Sequence, residues 1–185
     1  IEIIIKRMTS FYQLSLFTIE YSVKALNFSG IIQFISSHRG DVLNYCNPHD
    51  PRVAGESFIY ILPEKVEIEN QTSYITSHTG KSGLSLCTGV TNLLSKEGTS
   101  CLSKKDNSIM ATIDSTIHMG ETVTLTKYTV FTDTIRYSDC KAGAVIEMKK
   151  ALSLSLNELY EHQTAYLNSY WENSFVQIDG GDELS

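Results

Sequence analysis

From residue 1 to about residue 135 the chain alternates between apolar and polar side chains, and after Arg136 the alternation stops. That switch constrains the fold more than any other feature. A period of two belongs to a strand with one buried face, and the Thr, Ile, Val and Tyr that carry it here pack well on a pleated surface. The first part of the chain is therefore predicted to be a β region. Residues 14–23 alternate imperfectly, Asn27-Phe28-Ser29-Gly30 supplies turn chemistry, and residues 31–37 alternate again, a pattern that predicts a hairpin. His38-Arg39-Gly40-Asp41 reads as another turn, leading into Val42-Leu43-Asn44. Pro48 and Pro51 then restrict the polar run that follows to an extended loop. Residues 66–70, 73–79 and 84–90 read as a meander, whereas residues 94–107, rich in Ser, Lys and Gly, read as a loop or an irregular hairpin tip. Residues 108–114 and 122–131 read as strands on either side of Met119-Gly120-Glu121. In the second of them the apolar positions slip phase near Lys127, as a β-bulge would cause.

Beyond Arg136 the residues favour helix, first over 142–152. Ser155-Leu156-Asn157-Glu158 then has the spacing at which a hydroxyl and a carboxylate cap the first turn of a second helix. Leu159, His162, Gln163, Tyr166 and Tyr170 recur at helical spacing, widened by Leu156, Leu167 and Trp171, so this helix is predicted to lie against something apolar. The glycines of Ile178-Asp179-Gly180-Gly181 break regular structure, and the tail reads as linker. Two units follow: residues 1–137 as β-sandwich and 138–185 as helical linker.

A formal net charge of −6 with dispersed Lys and Arg excludes the concentrated basic surface that a nucleic acid requires. No apolar run is long enough to span a bilayer. Cys46, Cys87, Cys101 and Cys140 lie too far apart for the close pairs of a zinc site and read as free thiols, which suits a reducing cytoplasm. His38, His49, His78, His118 and His162 form no metal-binding spacing, and Gly80-Lys81-Ser82 lacks the upstream glycine of a phosphate loop. Neither a metal nor a catalytic residue is assigned.

Cleaving a glycosidic bond needs two carboxyl functions, or one acid and an attacking phosphate, held across a pocket. The acids Glu56, Glu64, Glu67, Glu69, Asp114 and Glu121 instead sit in or beside strands with polar neighbours, as solvated-face residues do. The loop around Asn44, His49, Asp50 and Arg52 is the one candidate for a carbohydrate-binding or interface site. Against that stands the plainer reading in which Asp50 and Arg52 pair to hold the turn.

Three stretches carry a family resemblance: Leu26-Asn27-Phe28-Ser29-Gly30 running on to Gly40-Asp41-Val42-Leu43-Asn44; Asp50-Pro51-Arg52-Val53; and Glu161-His162 through Tyr170-Trp171 to Val176-Gln177-Ile178-Asp179-Gly180. In this order they resemble the N-terminal domain of glycoside hydrolase family 65, which includes maltose, trehalose and kojibiose phosphorylases. The resemblance implies a mainly β fold, a super-sandwich like that of galactose mutarotase, with C-terminal linker helices leading to an (α/α)6 barrel that carries the catalytic residues. It also implies that the early part of the sandwich is missing. The implied parent cleaves an α-linked disaccharide with inversion, by phosphate or by water, without a cofactor; inorganic phosphate is the co-substrate if it is a phosphorylase. The partners so implied are the disaccharide, the chain's own catalytic barrel and a second copy in a homodimer. A free-standing carbohydrate-binding module is the alternative function, and a mutarotase-like enzyme on the same sandwich a third.

Overall fold

Strand pairing sorts the alternating segments into two antiparallel sheets. In the computed structural model, which describes residues 1–174, the strands are β1 (Glu2–Thr9), β2 (Leu16–Lys24), β3 (Gly30–Arg39), β4 (Ile61–Glu69), β5 (Thr72–Thr79), β6 (Ser85–Leu94), β7 (Thr99–Lys105), β8 (Ser108–Ile117) and β9 (Thr122–Asp133). Two helices follow, α1 (Cys140–Leu152) and α2 (Leu156–Ser174). The large sheet has the order β1-β2-β9-β6-β5-β4 and the small one β3-β8-β7. The chain is thus mainly β with two C-terminal helices, as its alternation predicted. The linker expected over residues 176–182 lies outside the described residues.

The large sheet is covered on both faces. On one face Val23, Val123 and Leu125 pack with Phe34, Ile113 and Ile117 of the small sheet. On the other, Leu16, Cys87, Tyr128 and Val130 pack with Ala144, Met148 and Ala151 of α1 and Leu159 of α2. Full burial of one such side chain stabilises by about 1.5–3 kcal/mol. A glycine is needed where Tyr74 crosses β6, because a Cβ on Gly89 would stand 2.9 Å from the Tyr74 ring and 3.0 Å from Val130.

These two cores explain the phase slip in β9. Pairing with β2 and β6 continues unbroken through Lys127, which faces Ile19 on one side and Asn92 on the other, so the predicted bulge is absent. The strand instead changes customers: Val123 and Leu125 point to the small sheet, Tyr128 and Val130 to α1. The register irregularity in the large sheet lies in β4, between Pro63 and Lys65, on an edge where proline costs no ladder bond.

The predicted hairpin across Asn27-Phe28-Ser29-Gly30 is also corrected. Both edges of β2 are occupied, by β1 and β9, and β3 pairs with β8, so residues 25–29 cross from one sheet to the other. His38 and Arg39 belong to β3 rather than to a turn. Residues 94–107 contain β7, which forms a hairpin with β8. The meander β4-β5-β6 is as predicted, its first turn made by Asn70 and Gln71 at φ 47° and 64°.

Between the sheets the small one is pinned by His38, whose Nδ1 lies 2.8 Å from Ser73 Oγ and whose Nε2 lies 2.7 Å from Thr88 Oγ1. Burial, with the Lys127 charge adding to it, pushes this imidazole down to about 4. It is therefore neutral at physiological pH.

The cysteines are all free, Cys101 exposed, Cys46 half-buried, Cys87 and Cys140 buried. Burial raises the Cys87 thiol to about 11 and also raises that of Cys140. Because the thiolate is the reactive form, a maleimide should label Cys101 first in the folded chain and Cys87 and Cys140 only after unfolding. Mass spectrometry of timed samples checks the order, and native labelling of Cys87 as fast as Cys101 would contradict it.

Candidate functional site

Antiparallel pairing brings the connections at residues 10–15, 40–60, 80–84 and 134–139 to the same end of the large sheet. Exposed large apolar side chains concentrate there: Phe11, Tyr12 and Leu14 on the first connection, Tyr45 and Phe58 on the second, Ile135 on the last. Exposed apolar side chains gathered at one end of a sheet are a mark of a contact surface.

The four residues singled out in the sequence lie in the 40–60 connection, and their polar groups hold its shape. Asp50 Oδ1 accepts from Arg52 N at 3.0 Å and from Arg52 Nε at 2.9 Å, while Arg52 Nη2 donates to Asp50 Oδ2 at 3.0 Å. These bonds hold the Asp50 carboxyl below its ordinary range. The side chain of Asn44 accepts from Phe58 N at 2.5 Å, and Asn44 N donates back to Phe58 O at 3.2 Å, closing the neck of the loop. His49 is exposed, and its backbone N–H donates to Asn47 Oδ1. The structure thus joins Asp50 to Arg52 and leaves Asn44 at the neck.

Several of the strand acids are also paired, mostly with residues far along the chain. Lys65 pairs with Glu67, Lys141 with Glu69 and Lys96 with Glu121, and Gln33 donates to Asp114. Among the described residues no group of three or more His, Cys, Asp or Glu side chains is placed to hold a metal ion, and no helix is long and apolar enough to cross a membrane.

Sequence reasoning missed a polar cluster where α1 meets the 10–15 connection. Glu147 of α1 accepts from Gln13 Nε2 at 2.7 Å, from Ser15 Oγ at 2.5 Å and from Tyr137 OH at 3.0 Å. Burial pushes its carboxyl up, but these hydrogen bonds and the Lys150 charge outweigh burial and leave it below the ordinary range. Nothing local in the sequence signals the cluster, since Gln13 and Glu147 are 134 positions apart.

The second helix starts as predicted: Glu158 N donates to Ser155 Oγ at 3.2 Å and Ser155 N to Glu158 Oε2 at 2.7 Å. Its apolar stripe is only partly used. Leu159 is fully buried, Tyr160 OH donates to Glu20 Oε1 at 2.6 Å, Tyr12 stacks on His162 at 4.1 Å and Phe11 on Tyr166 at 5.1 Å. Burial and the Glu20 bond together push the Tyr160 phenol well up. Past that point Tyr170 and Trp171 are 53% and 55% exposed, so the distal turns of α2 extend the aromatic rim without a cover.

Residues 1–170 match the family model described as the glycosyl hydrolase family 65 N-terminal domain. The chain belongs to glycosyl hydrolase family 65. Family members similar to it include the α,α-trehalose phosphorylase of Geobacillus stearothermophilus, 30% identical over 180 residues that make up 97% of this chain and 23% of that enzyme. The α,α-trehalose phosphorylase of Thermoanaerobacter brockii is 26% identical over all of this chain and 24% of its own length. A solved structure assigned as a kojibiose phosphorylase from the human microbiome superposes with a TM-score of 0.74 at 13% identity, covering 91% of this chain and 21% of that one. The chain therefore spans about a quarter of the curated family 65 relatives it matches, within the part that the family model names N-terminal.

Proposed function

We propose that this chain is the non-catalytic N-terminal domain of a family 65 enzyme that cleaves an α-linked disaccharide by phosphorolysis. In this reading residues 1–137 are the supporting sandwich, 138–185 the helical linker, and the aromatic rim with the outer turns of α2 is the surface on which the catalytic part sits. The observation that carries the reading is this rim, exposed at the end where α2 leaves the sandwich. The polar groups of the 40–60 connection support a structural role for that loop, because they are spent on one another. The relatives' names support phosphate as the attacking group, and the free thiols fit a reducing cytoplasm.

In phosphorolysis a phosphate oxygen bonds to the anomeric carbon as the glycosidic oxygen leaves with a proton, giving a sugar 1-phosphate and a free sugar. The test is to incubate trehalose, maltose and kojibiose with inorganic phosphate, using the 185-residue chain and the whole gene product in parallel, and to measure sugar 1-phosphate. None is expected from the chain alone, and release from at least one disaccharide is expected from the whole product. Turnover by the chain alone, or release of free sugar without phosphate from the whole product, would overturn the corresponding half of the proposal. Calorimetry with the same sugars should show no heat with the isolated chain; saturable binding would favour the binding-module reading instead.

A further inference from the structure

Two of the four cysteines share a core. Cys87, on β6, and Cys140, the first residue of α1, both lie between the large sheet and the helices, at 0% and 6% exposure. Cys46, in the 40–60 connection, and Cys101, on β7, lie outside it. Thr132 of β9 fixes the relative position of the buried pair. It stands directly opposite Cys87 in the ladder, so the two side chains project from the same face of the sheet, the face that α1 covers. Its Oγ1 lies 2.6 Å from the carbonyl oxygen of Cys140 and 3.2 Å from that of Cys87. Those two carbonyl oxygens are therefore no more than about 6 Å apart. The next residue along α1 holds the same placement. Lys141 Nζ lies 3.6 Å from the centre of the Tyr74 ring on β5 and 2.9 Å from Glu69 Oε2 on β4. Since the strand order is β9-β6-β5-β4, the start of α1 crosses the sheet directly above Cys87.

We propose that Cys87 and Cys140 are a redox pair, which hydrogen peroxide converts into a disulfide that fastens the start of α1 to β6. Burial raises the Cys87 thiol to about 11. Burial and then the Asp139 charge raise that of Cys140, offset in part by the backbone N–H groups of Cys140 and Lys141. Cys140, also the less buried of the two, is therefore the entry point. Its thiolate attacks one peroxide oxygen and becomes a sulfenic acid as the O–O bond breaks; the other oxygen leaves as water once protonated. The Cys87 sulfur then bonds to the Cys140 sulfur, the S–O bond breaks, and a second water leaves with the Cys87 proton. Two thiols and one peroxide thus give one disulfide and two waters. The raised thiols make the reaction slow, and the tight core restricts it to an oxidant hardly larger than water, in contrast to a maleimide. A thiol reductant reverses the change, so the pair stays open in reducing surroundings. Closing it constrains the unfolded chain and makes the folded one harder to melt. The pair lies inside the core and stands independently of the proposed enzymatic function.

The test uses the 185-residue chain with Cys46→Ser and Cys101→Ser, which leaves only the buried pair. The folded chain is treated with a small excess of hydrogen peroxide, remaining thiols are alkylated in acid urea, and the digest is mapped by mass spectrometry without reduction. A peptide joining Cys87 to Cys140, lighter by two hydrogens than its two parts, is expected. The melting temperature should rise by roughly 5 °C or more and return on adding dithiothreitol, which leaves methionine sulfoxide untouched. Adding Cys140→Ser should abolish both the link and the reversible shift, with far-UV circular dichroism verifying the fold of each variant. The mapping is made on intact Cys87 and Cys140, so it decides the pairing even if Cys140→Ser does not fold. Two free thiols after treatment, a sulfinic acid at Cys140 beside an unlinked Cys87, or a link that forms only in urea would each overturn the proposal. A linked chain whose melting temperature dithiothreitol does not change would overturn the fastening of α1.

Discussion

Leu159→Ala should lower the stability of the chain by about 2–5 kcal/mol and its melting temperature by roughly 5–15 °C. Leu159 is the one residue of α2 that is wholly buried, set among Ala144, Met148 and Ala151 of α1 and the sheet residues Met8 and Tyr128. Truncation removes the transfer free energy of the side chain and leaves a cavity that helix and sheet close only in part. The stacks of Phe11 and Tyr12 on α2 are half-exposed and cannot replace that contact. Trp171→Ala is the informative contrast. Its side chain is exposed in this chain, so the melting temperature should stay within about a degree or two, yet activity of the whole gene product should fall if the rim carries the catalytic part. Thermal denaturation of both variants, with phosphorolysis measured on the whole product, separates the two effects. A Trp171→Ala enzyme of full activity would argue against the rim as that interface, and a Leu159→Ala chain of unchanged melting temperature would contradict the packing argument.

Acid should weaken the sandwich through His38 by up to about 3 kcal/mol. In the unfolded chain this imidazole takes a proton near its ordinary value of 6.5, whereas in the folded chain burial and Lys127 hold it down to about 4. Above 6.5 neither state is protonated and the folded form bears no penalty. Between 6.5 and about 4 the unfolded state gains a proton that the folded state refuses, so stability falls with pH, and below about 4 this contribution levels off. The neutral ring offers one nitrogen as donor and the other as acceptor toward Ser73 and Thr88, so one of the two hydroxyls donates to the ring. Urea denaturation at a series of pH values, on the unchanged chain and on His38→Gln, isolates the effect, since the carboxylates contribute alike to both. The variant should show a shallower loss of stability between pH 7 and 4, and equal slopes would refute the assignment.

Several features of the site were legible before the fold was known. The capping box at Ser155 and Glu158 is a local pattern whose hydrogen bonds span three residues, so no distant contact is needed to specify it. The pairing of Asp50 with Arg52 is local in the same way. The Glu147 cluster and the role of His38 were not legible, because their partners arrive from strands and connections far along the chain. His38 even reads as a turn residue when seen beside Arg39 and Gly40 alone.

The sequence by itself determined the class of fold: period two sets strands up to about residue 135, and the switch to helix formers, with its cap, sets two helices after it. Alternation and capping act between residues a few positions apart, so the chain carries them wherever it is placed. Which strand pairs with which was decided only by tertiary structure. The turn at residues 27–30 fits a hairpin as well as a crossing between sheets, and the choice fell to β9, more than a hundred positions away, which occupies the edge of β2 that β3 would have needed. The shift at Lys127 was settled in the same way: a strand that serves one core with its first half and another with its second must change the parity of its apolar residues, and only the assembled layers show that two cores exist.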